Sequence, residues 1–145
     1  MTSPRRIIGF DPSLVSCGWG VIDVNGSKMR HVAHGVIKPP RKEPLVSRLS
    51  FLFMAASDAI AEHQPSEAGV EEAFMKDNAM SALKLGQARA ACILAATQYA
   101  LAPLAAEYYH QPMVEDLLRV QVLLFLSVPF VAMPEVLLMR DLDFK

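Results

Sequence analysis

Up to residue 44 the apolar residues of this chain come in short, strand-length runs; beyond it they come at helical spacing. RIIGFD (Arg6–Asp11) is a short apolar strand ending in an acid, CGWGVIDV (Cys17–Val24) a second strand and MRHVAHGVI (Met29–Ile37) a third. NGS (Asn25–Ser27) between the last two is a hairpin signal, because Asn-Gly tolerates the positive φ angles of a tight turn. The polar, Pro-rich KPPRKEP closes this run of strands. From Leu45 to His63, apolar residues recur at Leu45, Leu49, Leu52, Phe53, Ala56, Ala59 and Ile60, the stripe of an amphipathic helix. EAGVE (Glu67–Glu71) reads as a buried strand, Asn78 to about Tyr99 as a helix, and PLAAEYY (Pro103–Tyr109) as a fifth strand. Three hairpin-linked strands followed by helix–strand–helix–strand make an α/β fold, a mixed five-stranded sheet covered by helices. With 145 residues the chain is long enough for one such core.

That order has a geometric consequence. A strand–helix–strand crossover sets the new strand parallel to an earlier one. If the Glu67–Glu71 strand lies beside Arg6–Asp11, both end at the same edge, the ligand edge of such sheets. Asp11 and Glu71 would then project side by side. Two carboxylates there suit a hard divalent cation such as Mg²⁺, which prefers oxygen ligands and keeps several waters. With a second cation about 4 Å away, the site could activate water and stabilise the leaving oxygen in phosphodiester hydrolysis. An acid closing a strand is more often a turn-former or a helix cap, and spacing alone leaves both readings open.

Composition narrows the classes. The chain is 52% hydrophobic with mean hydropathy +0.26, net charge −1 and pI about 6.4, so overall charge does not announce a nucleic-acid partner. The charge is unevenly spread: residues 1–102 hold eleven Lys/Arg against nine Asp/Glu, and residues 103–145 three against six. Cys17 and Cys92 form no C-x-x-C motif and read as reduced core thiols of a cytoplasmic protein. The start has no apolar h-region of a signal peptide. VQVLLFLSVPFVAM (Val120–Met133), interrupted by Ser127 and Pro129, is too short for a spanning helix, so no membrane partner is expected. No phosphate-binding G-x-x-x-x-G-K-S/T loop is present.

Other residues carry weaker signals. His31 and His34 resemble a ligand pair, but i, i+3 residues of a regular strand point to opposite faces; His63 and His110 have no acid–nucleophile setting. Gly18 and Gly20 flank Trp19 and permit a sheet bend or a close visitor such as DNA. Lys84 and Arg89 on the second helix could face phosphates or water. The run ARAACILAA lets another element approach closely, in the core or at a dimer seam.

Two segments resemble a known family. IIGFDPSLVSCGWGVID is similar to the opening strand and hairpin of RuvC-type Holliday-junction resolvases (crossover junction endodeoxyribonucleases), and VEEAFMKDNAMSALKLGQARA resembles their second catalytic segment more closely still. The intervening GVIKPP segment and the SRL-containing helix match in order and length, and the resemblance covers about residues 5 to 108. It implies an RNase H-like fold, a homodimer, and symmetric nicking of four-way DNA junctions using Mg²⁺, with Mn²⁺ a possible substitute. It further implies a role in recombination and repair beside a branch-migration complex. Residue by residue, it makes Asp11 and Glu71 the catalytic and metal-binding carboxylates, with Glu72 a variable neighbour. Phe74 becomes the aromatic that contacts a base near the junction; Lys76 beside it, like Lys84 and Arg89, is a candidate DNA contact on its position alone.

The chain departs from the family pattern in places. Ser13 stands where the family usually has Gly, and Cys17 where Thr is common; both are small. The larger departure is the end. The family continues with a lysine-containing segment and an Asp-rich helix bearing its last carboxylates, whereas HQPMVEDLLRVQVLLFLSVPFVAMPEVLLMRDLDFK has no lysine before Lys145 and no Asp-Ala-Asp pattern. Asp141 and Asp143 lie at nearly the expected distance from Glu71 but in the wrong context, so neither is assigned as the third ligand. Residues 1–109 are therefore expected to form the RNase H-like core and 110–145 a divergent apolar tail, of the kind a frameshift or recombination would leave. The tail is not expected to complete the active site, which makes an inactive, dimeric, junction-binding relative the main alternative. A nucleotide-binding lobe of the actin and sugar-kinase type also opens with an Asp-containing strand and a glycine hairpin, but that class needs two lobes.

Overall fold

A computed structural model describes residues 4–72, 79–110 and 113. The first element, β1 (Arg5–Asp11), pairs antiparallel with β2 (Cys17–Asn25), and β2 pairs antiparallel with β3 (Lys28–Ile37). Helix α1 (Leu45–His63) leads to β4 (Glu67–Val70), which lies parallel to β1, giving the sheet order β3-β2-β1-β4. Helix α2 (Ala79–Tyr109) follows. Two compact units result, residues 1–100 and 101–145; the described part of the second is essentially the last turns of α2.

The β2–β3 turn is shifted by one residue from the Asn-Gly signal. Asn25 and Lys28 are the last cross-strand pair, so Gly26 and Ser27 form the two-residue loop, with Gly26 at φ +60. Positive φ at the first loop position, and not at Ser27, is the type II′ arrangement in which glycine is required.

Alternation along the strands separates two faces. Ile8, Phe10, Cys17, Val21 and Ile37 are buried on one of them. Against it lies α1, whose buried residues Leu49, Leu52, Phe53, Ala56, Ala59 and Ile60 recur with helical period. A left-handed Gln64 ends α1, its N–H bonded to the Ile60 carbonyl at 2.8 Å. Trp19 belongs to the same face. Its ring sits 5.4 Å from that of His63 and covers Gly35, where a Cβ would come within 2.7 Å of the indole. Only glycine leaves room for that ring. At the far end of this face Arg6 grips Asp23 through Nε at 2.8 Å and Nη2 at 3.2 Å, and Arg30 adds a bond at 2.8 Å. The two guanidiniums hold the Asp23 carboxyl down at about 2.

In α2, Ala88, Ala91, Cys92 and Ala95 are buried at helical spacing, and Cys92 Sγ meets Cys17 Sγ at 4.0 Å. The small-residue face of the ARAACILAA run therefore packs within the chain, not at a seam. Its contact with Cys17, reinforced by burial, pushes the Cys92 thiol up, so Cys92 packs as a small apolar group. By length and composition Met80–Tyr109 could cross a membrane; its Ala88–Ala95 stretch packs inside the chain, with Cys92 against Cys17.

Several expectations need correction. Glu67–Glu71, expected as a buried strand, is β4, which ends at Val70 and is exposed except for half-buried Val70, because it lies at the edge of the described sheet. The sheet has four strands among the described residues, not five, because Pro103–Tyr109 is the continuation of α2. Pro103 sits inside that helix. Proline removes one backbone donor, but the alanine- and leucine-rich sequence around it has the highest helix propensity and carries the helix past it. A further correction concerns His31 and His34. Val21 pairs with Ala33 and Ile22 with His31, so Val32 is an extra residue, a β-bulge. The bulge cancels the alternation, and both histidines emerge on the same, open face, Nε2 of His31 lying 2.9 Å from Nδ1 of His34.

Candidate active site

The face of the sheet opposite α1 carries Ile7, Gly9 and Asp11 from β1, and Glu67 and Gly69 from β4. The β1–β4 ladder runs in register from Ile7↔Glu67 to Phe10↔Val70. It gains one more bond beyond β4, from the Glu71 N–H to the Phe10 carbonyl at 3.0 Å. Asp11 and Glu71 thus leave adjacent parallel strands one step past the last registered pair, as the crossover geometry requires. Both are exposed.

They border an open depression of about 530 Å³ whose floor includes Gly9, Gly20 and Gly69. These glycines are cross-strand partners, Gly20 with Gly9 and Gly9 with Gly69, so bare backbone crosses three strands in one row. A Cβ at any of the three would meet nothing within 4 Å. Only afterwards can the sequence signal be seen: G-F-D and G-V-E each place a glycine two residues before the acid, on the same face of the strand. Sequence reasoning missed this row because it depends on which strands pair.

Charge separates these acids from the others in the sheet. Glu67 is paired with Arg5 at 3.0 Å and Asp23 with Arg6 and Arg30 at 2.8 Å each. Among the described residues neither Asp11 nor Glu71 has an ion-pair partner. Two carboxylates at neighbouring strand ends, without an ion-pair partner among the described residues, are the kind of oxygen donors a hard, water-retaining cation such as Mg²⁺ would take.

The surroundings hold these ends in place. After Asp11, the Ser13 hydroxyl accepts the Val15 and Ser16 N–H groups at 3.1 and 3.3 Å, so serine shapes the turn where glycine is usual. Arg48 of α1 donates to the Leu14 carbonyl at 2.6 Å and ties that loop down. Arg89 of α2 donates through Nε to the Glu71 carbonyl at 3.2 Å. Its role here is to anchor the end of β4. Lys84, further towards the start of α2, is exposed. Phe74 and Lys76 lie outside the described residues, as do Asp141 and Asp143.

The family model described as crossover junction endodeoxyribonuclease RuvC matches residues 7–119. The chain belongs to the RuvC family. It is 56% identical over 90 residues to the crossover junction endodeoxyribonuclease RuvC of Maricaulis maris, covering 62% of this chain and 54% of that one. With the protein of the same description from Caulobacter vibrioides it shares 50% identity over 105 residues, 72% of this chain and 61% of that one. Among solved structures, T. thermophilus RuvC in complex with Holliday junction substrate superposes with a TM-score of 0.60 at 28% identity, over 64% of this chain and 60% of that one. The α/β architecture is accordingly the RNase H-like fold of RuvC. The chain spans between about half and three fifths of the length of the curated RuvC relatives it matches, and the family match stops short of residues 120–145.

Proposed function

We propose that this chain is a structure-selective endonuclease that cleaves four-way DNA junctions in recombination and repair, with Asp11 and Glu71 as its metal-binding carboxylates. The observation that carries this reading is the pair of acids at adjacent parallel strand ends, without an ion-pair partner among the described residues and bordering a floor of bare backbone, in a chain of the RuvC family. Mg²⁺, or Mn²⁺ in its place, would supply a lowered water pKa and charge stabilisation at the leaving oxygen. The chain's own residues do the positioning. The β1–β4 ladder fixes the spacing of the two acids, Ser13 and Arg48 fix the loop after Asp11, and Arg89 fixes the backbone of Glu71.

The side-chain-free row of Gly9, Gly20 and Gly69 lets a bulky, flat or helical partner come to within contact of the sheet beside the acids. Phe74 is assigned to stacking on an unpaired base, an interaction worth roughly 1–3 kcal/mol, and Lys76 and Lys84 to phosphate contacts. The homodimer would use the outer face of α2, where Leu83, Ile93 and Leu94 are exposed, because its alanine face is already buried. Action in the bacterial cytoplasm, alongside a branch-migration complex, belongs to the same reading, as does a division into a 1–109 core and a 110–145 tail.

A labelled synthetic four-way junction, compared with linear duplex of the same sequence and incubated with the purified chain with and without Mg²⁺, tests the assignment. Junction-selective nicking that needs the cation is expected. Asp11→Asn should lower it about a hundredfold or more, the order associated with losing one preorganised electrostatic contact, with little change in thermal stability. Full cleavage by the Asn variant would move the chemistry elsewhere.

A further inference from the structure

Apart from the carboxylate edge, the open face of the sheet carries a second cluster of metal-ligating atoms. We propose that His31 and His34 form a chelating site for a borderline divalent transition metal, Zn²⁺, Ni²⁺ or Cu²⁺, distinct from the carboxylate site for a hard cation.

The geometry comes from the bulge at Val32. Without it the two side chains would diverge; with it, Ile22↔His31 and Gly20↔His34 place both imidazoles on one face. Their facing nitrogens are 2.9 Å apart, and the rings lie at 5.1 Å between centroids with planes inclined by 56°. Two imidazole nitrogens bound to one ion at 2.0–2.1 Å and at 90–109° are themselves separated by about 2.9–3.4 Å. The observed spacing is therefore already the bite of a chelate, and the ion would replace the single proton the two nitrogens now share. Only small rotations about the soft terminal torsions are needed to turn both lone pairs onto it.

The setting leaves the ion room. Both histidines are exposed. The strand position beside His34 is Gly20, which presents no side chain on this face. No third His, Cys, Asp or Glu joins the pair among the described residues, so water would complete the coordination. Nitrogen donors of intermediate softness select Cu²⁺ over Ni²⁺ and Zn²⁺, and accept Mg²⁺ hardly at all. The two sites on this face thus sort metals by donor chemistry, oxygen at the Asp11–Glu71 edge and nitrogen on the β3 bulge.

Calorimetric titration of the full chain with ZnCl₂, NiCl₂, CuSO₄ and MgCl₂, together with Cu²⁺ electron paramagnetic resonance, tests the proposal. One equivalent of Cu²⁺ should bind with nitrogen hyperfine splitting. Affinity should follow Cu²⁺ > Ni²⁺ and Zn²⁺, and excess Mg²⁺ should not displace the bound ion. Loss of groups that merely orient ligands weakens metal sites by about 10–100-fold, so His31→Ala and His34→Ala should each lower affinity at least that much. Both residues are exposed, so each variant should keep the wild-type circular dichroism spectrum, and Asp11→Asn should bind as wild type does. Unchanged affinity in the histidine variants would overturn the site, as would loss of the ion in Asp11→Asn, which would place it at the carboxylates. Junction cleavage enters neither readout, so the endonuclease reading and this one fail separately.

Discussion

Asp23 shows how a nearly buried charge is tolerated in so small a sheet. Its two oxygens take three bonds from Arg6 and Arg30, the first on a neighbouring strand and the second across the hairpin. These bonds favour the ionised form and hold the carboxyl at about 2, against about 4 for a free one. Because the folded value is the lower of the two, the group stabilises the fold fully above pH 4 and loses that contribution as pH falls towards 2. Asp23→Asn should therefore melt at a lower temperature than the wild type at pH 7, and the gap should narrow through pH 4 to 2. Thermal melts of both proteins across that range check the sign. Asp11 and Glu71 could be picked out in the sequence because each closes a strand, but nothing in the sequence marks Asp23 as paired and those two as unpaired. The pairing of Asp23, against no ion-pair partner for Asp11 and Glu71 among the described residues, exists only once Arg6 and Arg30 have been brought beside it by β1–β2 and β2–β3 pairing.

At the scale of elements, local pattern was a good guide where the pattern was strong. The apolar stripe of α1 gave its ends as well as its face, Leu45 to His63, because a stripe this regular can face a sheet in only one way. Leu52 sits at its centre, fully buried. Leu52→Ala should cost about 2–5 kcal/mol by loss of burial and the cavity left behind, measured by urea denaturation, whereas the same change at exposed Leu83 should cost far less. Two errors had physical causes. Pro103 looked like the start of a new element, but helix propensity on both sides outweighed one missing donor. The histidines looked divergent because strict alternation was assumed, and a single inserted residue in β3 reversed it.

For the whole molecule the fold is that of the RuvC family, and the proposed activity would depend on what completes the carboxylate site. A two-cation site needs enough anionic ligands to keep both ions. Residues 110–145 have no lysine before Lys145 and lack the family's Asp-Ala-Asp pattern. Phosphate contacts govern affinity and its dependence on salt. The purified chain is therefore expected to bind junctions with a shallow salt dependence and to nick them more slowly than an intact RuvC relative. Binding measured across a salt series, beside single-turnover cleavage, checks both; a rate equal to that of the relative would show that the tail supplies what the family's last helix does.

Trp19 is the only tryptophan in the chain, and its position gives the molecule its own optical reporter. The indole lies over Gly35 and against His63 at the end of α1, on the face turned away from Asp11 and Glu71. Its emission should follow the seating of that helix on the sheet. Fluorescence from this one ring can therefore time the assembly of the scaffold without interference from whatever settles on the other side.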